Sequence, residues 1–418
     1  MTADRPLKST ICAGTALLCL AVAWCSVGHG QESTTYRAAF VIDMSAASTR
    51  ASLTIEQAAG ELRALTWTAQ PHRWNNFVAS AGKLTKQDDR WTWQVPNDGG
   101  RLAWDVTVDQ RRGKYVDARR TDTWALFRGD DAFPAMASTA LASASAAATL
   151  RIIKPKDWSF VTAWPAMDDG RYRVDNPARR FDRPTGWMLA GQRLGVRIDD
   201  IAGSRVVVAA PSGQNARRQD ILALLNWVLP TLRSALLDLP DRLVLVLADD
   251  PFWRGGLSGP NSLFLHVDRP LISENGTSTL THEVFHVAFR RPGGELDDWI
   301  IEGLAEYYST WLLHRSGTTS EQRFNRTLAA LAKWADSVSG LRGDRSSGPV
   351  TAKAALLFHA LNLEIEAATD GRRNLDHVVR RLIRGKGPVT LTELRAVTGD
   401  ILGRDARTLS AVPSQGAD

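Results

Sequence analysis

The apolar residues of this chain change period once. Before about Ala210 they alternate, and after Pro211 they recur every three to four residues. A period of two suits a strand and a period near 3.6 suits a helix, so the switch divides the chain into two kinds of structure. Alternating runs stand at 37–42, 90–95, 102–108 and 195–198, separated by turn clusters such as Asn97-Asp98-Gly99-Gly100. Nine of the 15 Trp residues fall between Trp67 and Trp187, and Trp on a strand covers sheet area well. The expected class is α+β. An all-β, sandwich-like domain occupies 31–210, a mainly helical domain with a small sheet occupies 211–400, and a tail follows over 401–418. The Ala/Ser-rich stretch 132–150 reads as a solvated loop or a poorly packed helix.

In the second half, Leu222, Leu224, Leu225, Val228, Leu232 and Leu236 share one helical face, with Pro230 expected to bend it. Leu243-Val244-Leu245-Val246-Leu247 has no polar break and reads as a buried strand. Ser262-Leu263-Phe264-Leu265 is a second short strand. Helices are expected over 278–291, 299–314, 319–337, 351–369 and 373–384.

Residues 1–30 read as an export leader. Arg5 and Lys8 precede an uncharged apolar run, and small residues near Gly28 and Gly30 offer a cleavage site. The location expected is periplasmic or secreted, with a membrane anchor as the alternative. Cys12, Cys19 and Cys25 are the only three cysteines and all lie in this leader. Disulfides and thiolate metal sites are thereby excluded from the rest of the chain. The 418 residues are 44% hydrophobic and 23% charged, which excludes a disordered protein. The net charge of +6 is dispersed, without a long Lys/Arg block. No nucleic-acid partner is expected, and no other run is long enough to span a bilayer.

Within the helical region stands His282-Glu283-Val284-Phe285-His286. Positions i and i+4 share a helix face, so both imidazoles can reach one ion. Glu283 lies about 100° further round, close enough to take a proton from a metal-bound water. Thr277, Ser278 and Thr279 are candidate N-caps, and Pro292-Gly293-Gly294 ends the helix. Zinc needs a third protein ligand and an open fourth position. Glu302 lies 16 residues past His286 on the next helical segment, so two antiparallel helices can present His282, His286 and Glu302 to one Zn²⁺. Glu306, one turn beyond, is placed to hydrogen-bond a ligand imidazole.

These residues resemble the gluzincin zinc metallopeptidases, and more fully the glycyl aminopeptidase-like family. Trp299-Ile300-Ile301-Glu302-Gly303 and Tyr307-Tyr308 match that family's Trp-x-x-Glu-Gly…Tyr-Tyr segment. Gly255-Gly256-Leu257-Ser258 resembles its substrate-binding edge strand. Lys353-Ala354-Ala355, Leu363-Glu364 and Gly371-Arg372-Arg373-Asn374-Leu375-Asp376 are similar to its downstream signatures, and Asp182-Arg183-Pro184 is a further likeness. The resemblance implies a thermolysin-like zinc peptidase domain after the β domain, acting on a peptide or protein. Three departures stand out. Ser258 replaces the family's edge-strand acid, which removes an anchor for a substrate amine. Thr351 stands where the resemblance implies an oxyanion-stabilising Tyr, with His359, His377 and Lys353 as other candidates. No PDZ module is expected after the peptidase domain.

The expected activity is that of an exported zinc metallopeptidase with Glu283 as general base and the substrate along 255–265. The alternatives are a catalytically silent, peptide-binding zinc protein and a cell-envelope interaction protein.

Overall fold

The computed structural model describes residues 35–413 except 176–180, 344 and 347. The expected leader lies outside these. The N-terminal region contains three sheets rather than a two-sheet sandwich. The first has six strands, in the order Tyr172–Val174, Ser145–Ile153, Thr35–Asp43, Thr49–Glu56, Gly99–Val106, Trp74–Ala79. A five-stranded sheet carries Trp124–Arg128 and Trp187–Gly191, and a four-stranded sheet carries Leu62–Thr68 and Arg90–Gln94. Trp93, Trp104, Phe40 and Phe133 fill the core among them. The Ala/Ser-rich stretch forms strands Ala137–Ala140 and Ser145–Ile153, with short irregular segments before and between them. Ser145–Ile153 pairs in parallel with Thr35–Asp43, burying Ala148 and Leu150. Alanine is a weak strand former, and here cross-strand packing overrides propensity.

A further five-stranded sheet leads into the helical region. Its order is Leu194–Ile201, Ser204–Pro211, Arg242–Ala248, Ser262–His266, Gly256–Gly259. The boundary expected at 210/211 therefore cuts through this sheet, because Ser204–Pro211 pairs in parallel with Arg242–Ala248. Both faces are covered. Val206, Val208, Leu243, Leu245, Leu263 and Leu265 face the helices. Val207, Ala209, Val244, Val246 and Phe264 face Leu126, Trp187 and Leu189 of the N-terminal sheet. Burial on both sides explains why these strands are unbroken apolar runs.

Seven longer helices follow the first sheet strands among the described residues: Arg218–Leu236, Thr279–Phe289, Asp298–Arg315, Glu321–Ala335, Gly348–Ala368, Leu375–Ile383 and Leu391–Leu402. The last crosses the boundary expected at 400/401. Helix Gly348–Ala368 crosses Asp298–Arg315 at Gly303, where a Cβ would strike Ala354, so glycine permits the close crossing. No described helix is long and apolar enough to cross a membrane.

Candidate metal centre

Helix Thr279–Phe289 begins where the Ser278 side chain accepts from Thr281 N, a cap worth about 1 kcal/mol. Its buried side carries Leu280, Val284 and Val287, and the Phe285 ring stacks on Tyr308 at 4.8 Å between centroids. The packing runs antiparallel to Asp298–Arg315: Thr281 Oγ1 donates to Ser309 O, and His286 lies beside Glu302. The connecting turn is held from behind, with Leu391 N and Arg342 Nε both donating to Asp297.

This packing brings three side chains to one point. His282 Nε2 is 3.1 Å from His286 Nε2 and 3.3 Å from Glu302 Oε2, and His286 Nε2 is 3.4 Å from Glu302 Oε1. Bonds of about 2.0–2.1 Å in tetrahedral zinc place ligand atoms about 3.3–3.4 Å apart. The donor set fits that ion in type and spacing. Glu306 Oε2 lies 3.0 Å from His282 Nδ1, leaving Nε2 turned to the centre. Burial opposes a charged His282, but the Glu302 and Glu306 carboxylates outweigh it and raise its pKa well above the usual value. Burial also works to raise Glu302, and the two imidazoles outweigh it, holding its carboxyl far below the usual range. Glu302, Glu306 and Glu283 thus surround the His282 imidazole with negative charge.

The edge strand lies over this point. A Cβ on Gly256 would stand 2.5 Å from Glu283 Cγ. His266 N donates to Gly255 O at 3.0 Å, and Leu257 lies opposite Phe264. Antiparallel pairs alternate between bonded and non-bonded, so Gly256 and Ser258 turn their N–H and C=O groups away from the sheet. Trp187 contributes what the sequence did not signal. Its Nε1 donates to Leu257 O at 2.9 Å and its N–H to Ser262 Oγ at 2.8 Å, fixing the strand from the N-terminal region. His266 is buried beside it, and Nδ1 accepts from Asp268 N.

Beyond Ser258 opens a cleft of about 420 Å³ lined by Arg73, Arg128, Asp130, Asp131, Arg183 and Ser258–Pro260. Its carboxylates are already paired, Asp130 with Arg183 and Asp131 with Arg73 and Arg128. Three of the oxyanion candidates lie elsewhere. Lys353 Nζ donates to Val338 O and Ser339 O. The His359 ring packs near Tyr307 and Phe324, and Tyr307 is about 140° round its helix from Glu302. His377 Nδ1 bonds Asn374 at the start of helix Leu375–Ile383. These side chains serve packing and capping. Thr351 lies one turn before Ala354, which packs against Gly303 on the neighbouring helix.

No family model and no curated protein matches the sequence. Solved structures do. An aminopeptidase N family protein from Idiomarina loihiensis superposes with a TM-score of 0.62 at 17% identity, over 83% of this chain and 70% of that one. Legionella pneumophila aminopeptidase A, in complex with aspartic acid, superposes with a TM-score of 0.57 at 13% identity, over 91% of this chain and 50% of that one. This chain thus spans half the length of the Legionella protein. With its sheet-rich N-terminal region and helical C-terminal part, the chain has the fold of aminopeptidase N family proteins.

Proposed function

We propose that this protein is an exported zinc metallopeptidase of the gluzincin type, acting on peptides in the periplasm or outside the cell. The observation that carries the reading is the convergence of His282 and His286 Nε2, 3.1 Å apart, on the Glu302 carboxylate, one oxygen 3.3 Å from His282 and the other 3.4 Å from His286, with Glu283 beneath the Gly256 strand. Zinc held there supplies Lewis-acid polarisation of a carbonyl and a more acidic water. Glu283 takes the proton from the attacking water and delivers it to the leaving amine. Glu306 fixes the His282 ring and its tautomer. The peptide backbone pairs with the outward groups of Gly256 and Ser258 as an added strand. Thr351 is the remaining candidate to face the developing oxyanion. With Ser258 at the acid's position and the cleft carboxylates paired, nothing at the edge strand restricts substrates to a free N-terminus.

A zinc-holding peptide binder without turnover is the second reading, favoured by the lack of any Tyr after Tyr308. Metal analysis and a peptide library separate the two. The expected result is one zinc per chain, hydrolysis by the wild type, and a Glu283→Ala variant that keeps the zinc and loses hydrolysis. Zinc without hydrolysis by the wild type would establish the silent binder. No stoichiometric zinc would remove both readings.

A further inference from the structure

Helix Leu375–Ile383 buries Leu375, Val378, Val379 and Leu382 against the core. Its other side and the residues flanking it carry a cluster of basic side chains. Arg372, Arg373, His377, Arg380, Arg381 and Arg384 line one cavity of about 300 Å³. They fall in two adjacent pairs, Arg372-Arg373 and Arg380-Arg381, with His377 and Arg384 apart. His377, Arg380 and Arg384 recur at spacings of three and four, which puts them on one face of the helix and its C-cap, and Arg372 and Arg373 stand just before the N-cap Asn374.

Such an arrangement works against the fold that carries it. Like charges at i,i+4 repel, as at Arg380 and Arg384. Basic groups beside a helix N-terminus, as at Arg372 and Arg373, oppose its dipole. The sole acid of the helix, Asp376, is buried, accepts from Tyr308 Oη at 2.6 Å and, of the cavity's basic groups, lies within electrostatic reach of Arg380 and His377. Arg372 and Arg381 each meet one exposed carboxylate, Asp370 at 3.4 Å and Asp400 at 3.2 Å. Arg380 donates to Ala235 O and Ser234 O, which hold no net charge. Among the described residues, no carboxylate pairs with Arg373 or Arg384. Five guanidinium groups line one concavity against only the exposed Asp370 and Asp400 and the buried Asp376, and this excess of positive charge matches a ligand with several acceptor oxygens.

We propose that this cavity binds a compact multivalent oxyanion of phosphoryl type, at a site separate from the metal centre. Inorganic pyrophosphate is the probe, titrated calorimetrically into the full-length protein at fixed ionic strength. R373Q/R384Q is the decisive variant, since among the described residues neither side chain forms a hydrogen bond or ion pair. Expected are saturable binding by the wild type, a Tm that rises with pyrophosphate, and affinity at least tenfold weaker in the variant. The unliganded variant should melt no lower than the wild type, and R384Q alone serves if the double variant does not fold. No binding by the wild type, or variant affinity within twofold of it, overturns the proposal, since binding would then lie at another site such as the metal centre. Vesicles identify the source of the phosphoryl group. Retention on phosphatidylglycerol but not phosphatidylcholine vesicles, lost in the variant, supports a lipid headgroup. Pyrophosphate binding without vesicle retention supports a free anion.

Discussion

Gly256 lies directly on Glu283. A Cβ at Gly256 would come 2.5 Å from Glu283 Cγ, 2.8 Å from Thr279 Cγ2 and 3.0 Å from Glu283 Oε1. The strand proposed to hold the substrate therefore touches the group proposed to move the proton. Gly256→Ala must displace either the strand or the carboxylate. The expected loss in kcat/KM is ~10²-fold, the order produced by a displacement near 1 Å. Zinc content should be unchanged, because the ligands lie on the helices. Kinetics and metal analysis on the same sample check this, and activity near the wild-type level would count against the assigned geometry.

Glu306 acts on the metal through His282. Its Oε2 holds Nδ1 at 3.0 Å, and its side chain is only 14% exposed, so solvent replaces it poorly. Glu306→Ala frees the ring to rotate and removes a negative charge beside it. Zinc affinity should fall about 10–100-fold, read by competition with a chromogenic chelator. An unchanged affinity would place Glu306 outside the metal's support.

How much of this site was legible in the sequence follows from the distances involved. His282 and His286 are joined by one helical turn, and Glu302 by one helix return, so local periodicity alone predicts their meeting. Thr351, His359, His377 and Lys353 could not be ranked that way. Their positions depend on how helix Gly348–Ala368 crosses its neighbour at Gly303 and on caps such as Asn374. Trp187 was invisible for the same reason, since it reaches Leu257 across 70 residues of chain. Strand Ser145–Ile153 was hidden because alanine marks neither a strand nor a core by itself. The hairpin Leu194–Pro211 shared the alternating texture before it, although its partners come later. The basic face of Leu375–Ile383 escaped because its arginines stand in short pairs before and along a helix and form no long basic block.

Trp187→Phe isolates one hydrogen bond. Phenylalanine preserves an aromatic ring against Phe264, whose centroid lies 5.3 Å away, and deletes the N–H that Leu257 O accepts. A bond of this kind contributes about 1 kcal/mol, so the edge strand should loosen rather than detach. KM for a peptide substrate should rise about 3–10-fold, with a smaller change in kcat. If kcat falls while KM holds, Trp187 supports the reacting centre instead of the substrate strand.

Glu364 ties the last described segment to the helical core. Its carboxylate accepts from Arg407 N, Thr408 N, Thr408 Oγ1 and Arg404 Nη1, at 2.6–2.9 Å. Burial works to raise its pKa, but the Thr408 hydroxyl and amide, with Arg404 and Arg407, outweigh it and hold the carboxyl at about 2. A carboxyl bound more tightly as the anion in the fold adds stability that is fully present above its ordinary pKa of 4.5. That stability is lost as the pH falls from 4.5 toward about 2. Glu364→Gln removes the charge and much of the accepting capacity. At neutral pH it should cost about 1 kcal/mol, reduced by solvent screening around the exposed Arg404. The gap between wild-type and variant unfolding midpoints should then close as the pH drops through that window. A gap that stays constant down to pH ~2 would mean that packing, not the anion, holds the segment.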